Sequence, residues 1–156
     1  MWLATESNAV FIGTEMPGQT ETAHARHNHK GPRKDAKTLI YIVDDEAMLL
    51  ELAEVILEPL GYDVQTFRDP VSALETFNKA RPRPALIITD YAMHSMNGMA
   101  LIEACRNLEP NQRVLLISGT VGAEIFQDSP IQPDRFLEKP YQARQLVDLV
   151  KSMLTS

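Results

Sequence analysis

The stretch LIITDYAMHSMNG, residues 86–98, carries the pattern that decides the fold. Its first residues, Leu86 to Thr89, are apolar or β-branched, as in a strand buried in a core, and this strand runs directly into Asp90. Asn97 and Gly98 then begin a pattern that is typical of a helix. A core strand that ends on a carboxylate indicates that the adjoining edge of the sheet has a chemical role.

The same succession of buried strand, polar turn and amphipathic helix recurs from Leu39 onward. Gly61 is predicted to end the first helix, and Asp69 followed by Pro70 to begin the second. Five strands that alternate with five helices predict an α/β fold, a doubly wound five-stranded parallel sheet with helices on both faces. The predicted strands are 39–43, 62–67, 86–89, 113–118 and 135–138, with a short, poor fourth helix at 121–127 and a last helix at 141–154.

Length and composition favour one domain plus a tail. Residues 1–37 show no sustained hydrophobic period, which predicts a flexible N-terminal tail ahead of a domain at 38–156. The tail carries a basic stretch between His24 and Lys37, which we interpret as a solvated segment rather than as a binding site.

Charge and cysteine content restrict the function classes. A net charge of −6 argues against nucleic acid as the main partner. No apolar run approaches the roughly 18–20 residues that span a membrane. The single cysteine, Cys105, excludes a disulfide framework within the chain, and this fits a cytoplasmic protein.

Polar residues follow four of the five predicted strands, at the point where each strand ends. Asp44 and Asp45 follow the first strand, Asp90 the third, Ser118 ends the fourth, and Lys139 follows the fifth. In an open parallel sheet, ligands bind in the crevice at the carboxyl ends of the strands. If the strand order is 2-1-3-4-5, these four strand ends are neighbours and their side chains share one site.

That set of side chains suits phosphoryl chemistry. Crowded carboxylates raise one another's pKa, and a hard cation such as Mg²⁺, which prefers oxygen ligands, removes that penalty. An ionised aspartate can then act as a nucleophile toward a phosphoryl group, because this transfer mainly requires alignment and charge neutralisation. Asp90 is therefore a predicted phosphorylation site, with Ser118 and Lys139 as contacts to the phosphoryl oxygens. Each residue alone also fits a helix cap or a turn, so the prediction depends on their combination.

The motifs DDE (44–46), DYAM…MNG (90–98), LISG (116–119) and FLEKP (136–140) resemble those of the receiver domain of two-component response regulators, such as the chemotaxis regulators. The resemblance covers the chain from Thr38 to its end. It implies the flavodoxin-like receiver fold with strand order 2-1-3-4-5. It also implies that the chain is a phosphoacceptor that assists its own phosphotransfer and dephosphorylation, rather than an enzyme.

The resemblance implies a role for each site residue. Asp90 corresponds to the phosphoacceptor, and Lys139 to the lysine of the family's site. Asp45, Asp90 and the main-chain carbonyl of Ala92 would hold Mg²⁺, with Asp44 contacting the ion through water.

Two further positions resemble the family's switch. Ser118 corresponds to the hydroxyl that moves toward the phosphoryl group, and Phe136 to the aromatic residue that then turns inward. The change would bias the face formed by the fourth helix, fifth strand and fifth helix toward a partner. Phe136 has a second interpretation as a plain core residue, and Pro140 is expected to follow a cis peptide bond.

The chain also departs from the family pattern. His94 stands where the family usually has proline, close to Asp90, and is either a modulator of the site or a plain loop residue. Ala92 and Thr120 occupy positions that influence dephosphorylation in the family; neither is an acid or an amide, which predicts inefficient hydrolysis. Pro130 and Pro133 argue against a long fourth helix.

The sequence therefore predicts a stand-alone response regulator that receives a phosphoryl group from a sensor histidine kinase or a histidine phosphotransfer protein. Its downstream protein target is unknown, and homodimer formation stays open. One alternative is a phosphorylation-independent binding module, for which loss of a site residue would be expected. Another is an aspartyl-nucleophile phosphatase, which would need an Asp-x-Asp motif after the first strand where Asp44 and Asp45 are adjacent.

Overall fold

The predicted strands form one parallel sheet in the predicted order. A computed structural model describes residues 36–155, so most of the predicted tail (1–37) lies outside the described residues. The sheet order is β2-β1-β3-β4-β5, with every neighbouring pair parallel. The strands are β1 Leu39–Val43, β2 Asp63–Phe67, β3 Leu86–Asp90, β4 Val114–Ser118 and β5 Arg135–Glu138; the α-helices are α1 Ala47–Leu57, α2 Pro70–Lys79, α3 Gly98–Leu108 and α4 Ala143–Leu154.

Both faces of the sheet are covered, as the apolar central strands require. Successive residues of β1 point to opposite faces, so Ile40 and Ile42 join one core cluster while Tyr41 and Val43 join the other. The first cluster is closed by α1 and α4, and the second by α2 and α3. These two apolar layers hold the carboxyl ends of the strands at one edge.

The predicted helix starts at Asp69 and Asn97 are confirmed, whereas α1 ends at Leu57, before the predicted stop at Gly61. Asp69 is the N-cap of α2 and accepts a hydrogen bond from Ser72 N at 2.9 Å. Asn97 caps α3 in the same way, accepting from Ala100 N at 2.9 Å. Gly61 ends the 3₁₀ turn that follows α1 with φ of 94°, a left-handed conformation that glycine adopts without steric cost.

The fourth connection differs from the five-helix prediction. Its helix is reduced to a 3₁₀ turn, Ala123–Phe126, so that four α-helices rather than five pack on the described sheet. Phe126 is the buried residue of this connection, which continues to β5 through exposed and half-buried positions. Pro130 and Pro133 lack the N–H groups that a longer helix would need.

Within residues 36–155, no helix combines the length and apolar content needed to cross a lipid bilayer.

Candidate functional site

The structure brings three of the predicted site residues into direct contact. Asp44 follows β1, Asp90 ends β3 and Lys139 follows β5 at the same edge of the sheet. Lys139 Nζ lies 3.1 Å from Asp44 Oδ2 and 3.1 Å from Asp90 Oδ1. Both aspartates are buried, with 6% and 7% of their surface exposed, so this ion-pair triad is largely shielded from water.

Asp45 completes an acidic cluster with these two aspartates. Asp44, Asp45 and Asp90 each offer a carboxylate oxygen, and these oxygens lie within 4.8 Å of one another. Burial raises the pKa of Asp90, and the charge of Asp44 adds to this effect while Lys139 opposes it. Three carboxylates meet one ammonium, that of Lys139, so the ionised cluster holds more negative charge than the lysine neutralises.

The donor set fits Mg²⁺. All three side chains supply hard oxygen ligands, and the excess negative charge at a buried position favours a divalent cation. Ala92 lies in the exposed part of the loop after Asp90, and its role as a carbonyl ligand stays a prediction. The individual ligand assignments likewise stay predictions.

Lys139 keeps its positive charge in this setting. Burial lowers its pKa, but the charges of Asp44 and Asp90 outweigh that effect, so the pKa is raised overall. Its backbone N–H donates to the Ser118 carbonyl at 2.8 Å, which fixes the ends of β4 and β5 together. The peptide bond from Lys139 to Pro140 is cis, as expected.

The two predicted switch residues make side-chain contacts with the connection between β4 and β5. Ser118 is buried, and its Oγ accepts hydrogen bonds from the backbone N–H groups of Thr120 (3.3 Å) and Val121 (3.2 Å). The half-buried Phe136 ring packs edge-on against Phe126, with 5.5 Å between ring centroids. Both interpretations of Phe136, as a switch residue and as a core residue, fit this position, and the switch roles stay predictions.

Two contacts of the loop between β3 and α3 were not predicted from the sequence. His94 contacts Asp45 rather than Asp90, with 2.6 Å between Nδ1 and Asp45 Oδ2. Ser95 Oγ donates to Asp69 Oδ1 at 2.8 Å. The sequence singles out His94 as a possible modulator of the site, but it does not specify partners 49 and 26 residues away for His94 and Ser95.

Five parallel strands in this order, with an acidic cluster and a lysine at their carboxyl edge, define a receiver-type domain of the flavodoxin-like fold. Residues 40–151 match the family model described as the response regulator receiver domain. The chain belongs to that family.

Curated relatives agree with this assignment. The response regulator receiver protein CpdR of Brucella abortus is 30% identical over 120 residues, which are 76% of this chain and 97% of that protein. The DNA-binding response regulator MtrA of Mycobacterium tuberculosis is 29% identical over 118 residues, 74% of this chain and 50% of that protein. The chain thus spans nearly all of one relative and about half of the other.

Solved structures share the fold. A CheY-like receiver domain from Methanospirillum hungatei superposes with a TM-score of 0.70 at 25% identity, covering 77% of this chain and 95% of that one. The chemotaxis protein CheY4 of Vibrio cholerae gives a TM-score of 0.69 at 25% identity, covering 76% and 100%. The predicted family and fold class are confirmed.

Proposed function

We propose that this receiver domain accepts a phosphoryl group on Asp90 from a sensor histidine kinase or a histidine phosphotransfer protein, in a Mg²⁺-dependent reaction. The observation that carries the proposal is the buried triad in which Lys139 Nζ lies 3.1 Å from both Asp44 and Asp90. This triad places the ammonium of Lys139 beside the carboxylate of Asp90, the proposed nucleophile.

The proposed transfer is a displacement at phosphorus. An oxygen of Asp90 bonds to phosphorus while the bond from phosphorus to the donor's histidine nitrogen breaks, and the electron pair leaves with that nitrogen. Lys139 contacts a phosphoryl oxygen and balances its charge, as it now balances Asp90. Bound Mg²⁺ would neutralise the remaining charge of Asp44, Asp45 and the phosphoryl group.

The proposed output is a population shift rather than turnover of a substrate. The Ser118 hydroxyl moves away from the backbone N–H groups of Thr120 and Val121 and donates a hydrogen bond to the phosphoryl group. The Phe136 ring then turns inward. The affected face consists here of the turn Ala123–Phe126, β5 and α4, and it binds a separate protein target. Support for output through a separate protein comes from the relative CpdR, which is described as a receiver protein and is matched over 97% of its length.

Ala92 and Thr120 offer no acid or amide to activate water, so the aspartyl phosphate persists longer than in receivers that carry such groups. The site of action is the cytoplasm, where a lone thiol such as Cys105 stays reduced.

The test is intact mass after incubation with acetyl phosphate, with and without Mg²⁺. We expect one Mg²⁺-dependent phosphoryl adduct on the native chain and none on Asp90→Asn. Asp63→Asn is the matched control, because Asp63 is exposed at the start of β2, at the opposite edge of the sheet. An adduct on Asp90→Asn would refute the assignment.

A native chain without an adduct requires a second measurement, because rapid hydrolysis would also remove it. Beryllofluoride should then shift the amide resonances of the native chain but not those of Asp90→Asn. If neither adduct nor shift appears, the phosphorylation-independent binding module is the correct alternative.

A further inference from the structure

We propose that His94 is a positioning residue for the cation site, which holds the Asp45 carboxylate in its ligating orientation, and that Ser95 fixes the loop carrying it. The inference rests on the proposed Mg²⁺ site and adds a residue that the resemblance does not supply. Proline, which the family usually has at this position, has no side-chain donor for such a contact.

The first observation is the way in which each acidic side chain is held. Asp44 and Asp90 share Lys139, whereas Asp45 is bonded to His94, with 2.6 Å between Nδ1 and Oδ2. This contact uses one carboxylate oxygen of Asp45 and leaves the other for a cation. Asp45 is also the most exposed member of the cluster, with 24% of its side chain accessible. Its side chain therefore loses more conformational freedom than the other two when the cluster binds a cation.

The second observation is that the loop carrying His94 is fastened at the next residue. Ser95 Oγ donates to Asp69 Oδ1 at 2.8 Å, and the other oxygen of Asp69 accepts from Ser72 N at 2.9 Å. The bonds from Ser95 and Ser72 lower the pKa of Asp69, as hydrogen bonds to a charged carboxylate do. The loop is thus anchored to the N-terminus of α2.

The base of the same loop is closed as well. Gly98 N donates to the Tyr91 carbonyl at 2.8 Å, and the Asn97 side chain caps α3. His94 therefore lies on a short loop whose two ends are fixed by hydrogen bonds. In this loop, His94 contacts Asp45 in the loop after β1, and the next residue, Ser95, contacts Asp69 in the loop after β2.

The physical consequence concerns cation affinity. A ligating carboxylate whose second oxygen is already bonded is pre-oriented, and loss of such a partner typically weakens metal binding about 10- to 100-fold. Asp45 without His94 can rotate out of the cluster. The expected effect is therefore on Mg²⁺ binding itself, before any phosphoryl chemistry.

The experiment is calorimetric titration of the full chain with Mg²⁺ at one fixed pH. We expect His94→Ala to raise the Kd for Mg²⁺ about 10-fold. His94→Gln, which keeps an N–H donor, should recover part of that loss, and Ser95→Ala should shift the Kd in the same direction by a smaller factor. Ser72→Ala is the matched control, because Asp69 keeps its bonds from Ser95 and from the Ser72 backbone.

The outcomes separate this inference from the proposed function. A Kd for His94→Ala within twofold of the native value overturns the positioning role, even if Asp90 is phosphorylated. A His94-dependent Kd in a chain that forms no adduct supports the positioning role while the phosphoacceptor proposal fails. A native chain that does not bind Mg²⁺ overturns both. Equal losses in His94→Ala and Ser72→Ala would indicate general disturbance of the loops and also overturn the inference.

Discussion

Gly98 is the residue at which the loop after Asp90 has no room for a side chain. A methyl group there would meet the Asp90 carbonyl and lie 2.7 Å from Leu116 Cδ1. We expect Gly98→Ala to lower the free energy of unfolding by about 1–3 kcal/mol, the usual cost of overpacking. Urea denaturation measures this change.

The comparison for that prediction is Gly61→Ala. Gly61 has open space around it but a φ of 94°, so alanine there should cost about 1–2 kcal/mol through backbone conformation alone. Because Gly61 precedes β2, at the edge of the sheet opposite the acidic cluster, only Gly98→Ala should also weaken Mg²⁺ binding. A Gly98→Ala protein with native stability would show that the loop yields to the methyl group.

Cys105 gives the domain a predictable response to alkaline pH. Burial raises the pKa of its thiol from 9.0 to about 12. Between these values the unfolded chain releases the proton while the folded chain keeps it, so stability falls as pH rises through this window. The loss is about 1.4 kcal/mol by pH 10.

The measurement is the free energy of unfolding at several pH values from 8 to 10.5 for the native chain and for Cys105→Ala. The cavity left by alanine lowers stability by a similar amount at every pH, whereas the ionisation appears as a difference in slope. Parallel curves for the two proteins would contradict the prediction.

Single residues show what was predictable at this scale. The sequence predicts one site for Asp44, Asp90 and Lys139 because strand ends of a parallel sheet meet at a common edge, and the structure joins them. The contacts of His94 and Ser95 were not predictable, because hydrogen bonds between separate loops depend on distances that hydrophobic period and turn chemistry do not encode.

Among the elements, the connection between β4 and β5 departs furthest from regular structure. It contains one 3₁₀ turn and buries one side chain, that of Phe126. Regions with few buried contacts open at low free energy, so its backbone amides should exchange with solvent faster than those of α3. Hydrogen–deuterium exchange should show residues 120–132 exchanging before residues 101–108.

A phosphoryl analogue supplies the control for this measurement. If Ser118 exchanges its bonds to Thr120 and Val121 for the analogue, exchange in the connection should change on addition of beryllofluoride and Mg²⁺. Exchange in α2 should not change. Protection of the connection equal to that of α3 in the free protein would contradict the expectation.

Element boundaries follow local chemistry where the relevant signals are local. The caps at Asp69 and Asn97 lie where the sequence predicts them, since capping depends on neighbouring backbone groups. Gly61 ends the 3₁₀ turn that follows α1 rather than α1 itself. The fourth helix is shorter than predicted because Ile125 and Phe126 can meet the core from a single turn, with prolines soon after. Hydrophobic spacing over seven residues does not distinguish such a turn from a short helix.

For the whole molecule, the fold should not depend on the cation. The two apolar clusters lie on the faces of the sheet, whereas the acidic cluster lies at its edge. Removal of divalent cations with EDTA should therefore leave the far-ultraviolet circular dichroism unchanged. Addition of Mg²⁺ at tenfold its Kd should raise the free energy of unfolding by about 1.4 kcal/mol.

Asp90→Asn serves as the control for Mg²⁺ stabilisation, since loss of one ligand should reduce the gain. A domain that unfolds in EDTA would show that folding depends on cation binding at the acidic cluster.

The burial of Cys105 has a practical consequence for spectroscopy. It is the one cysteine of the 156-residue sequence, and it is inaccessible in the folded domain. The native protein therefore behaves toward maleimide reagents as if it had no thiol, and a fluorophore or spin label can be attached at one chosen exposed position. Glu124→Cys would put such a reporter on the turn beside Phe126, and Arg144→Cys would put one on α4. Paired labels at these positions would give the movement between turn and helix as a distance distribution.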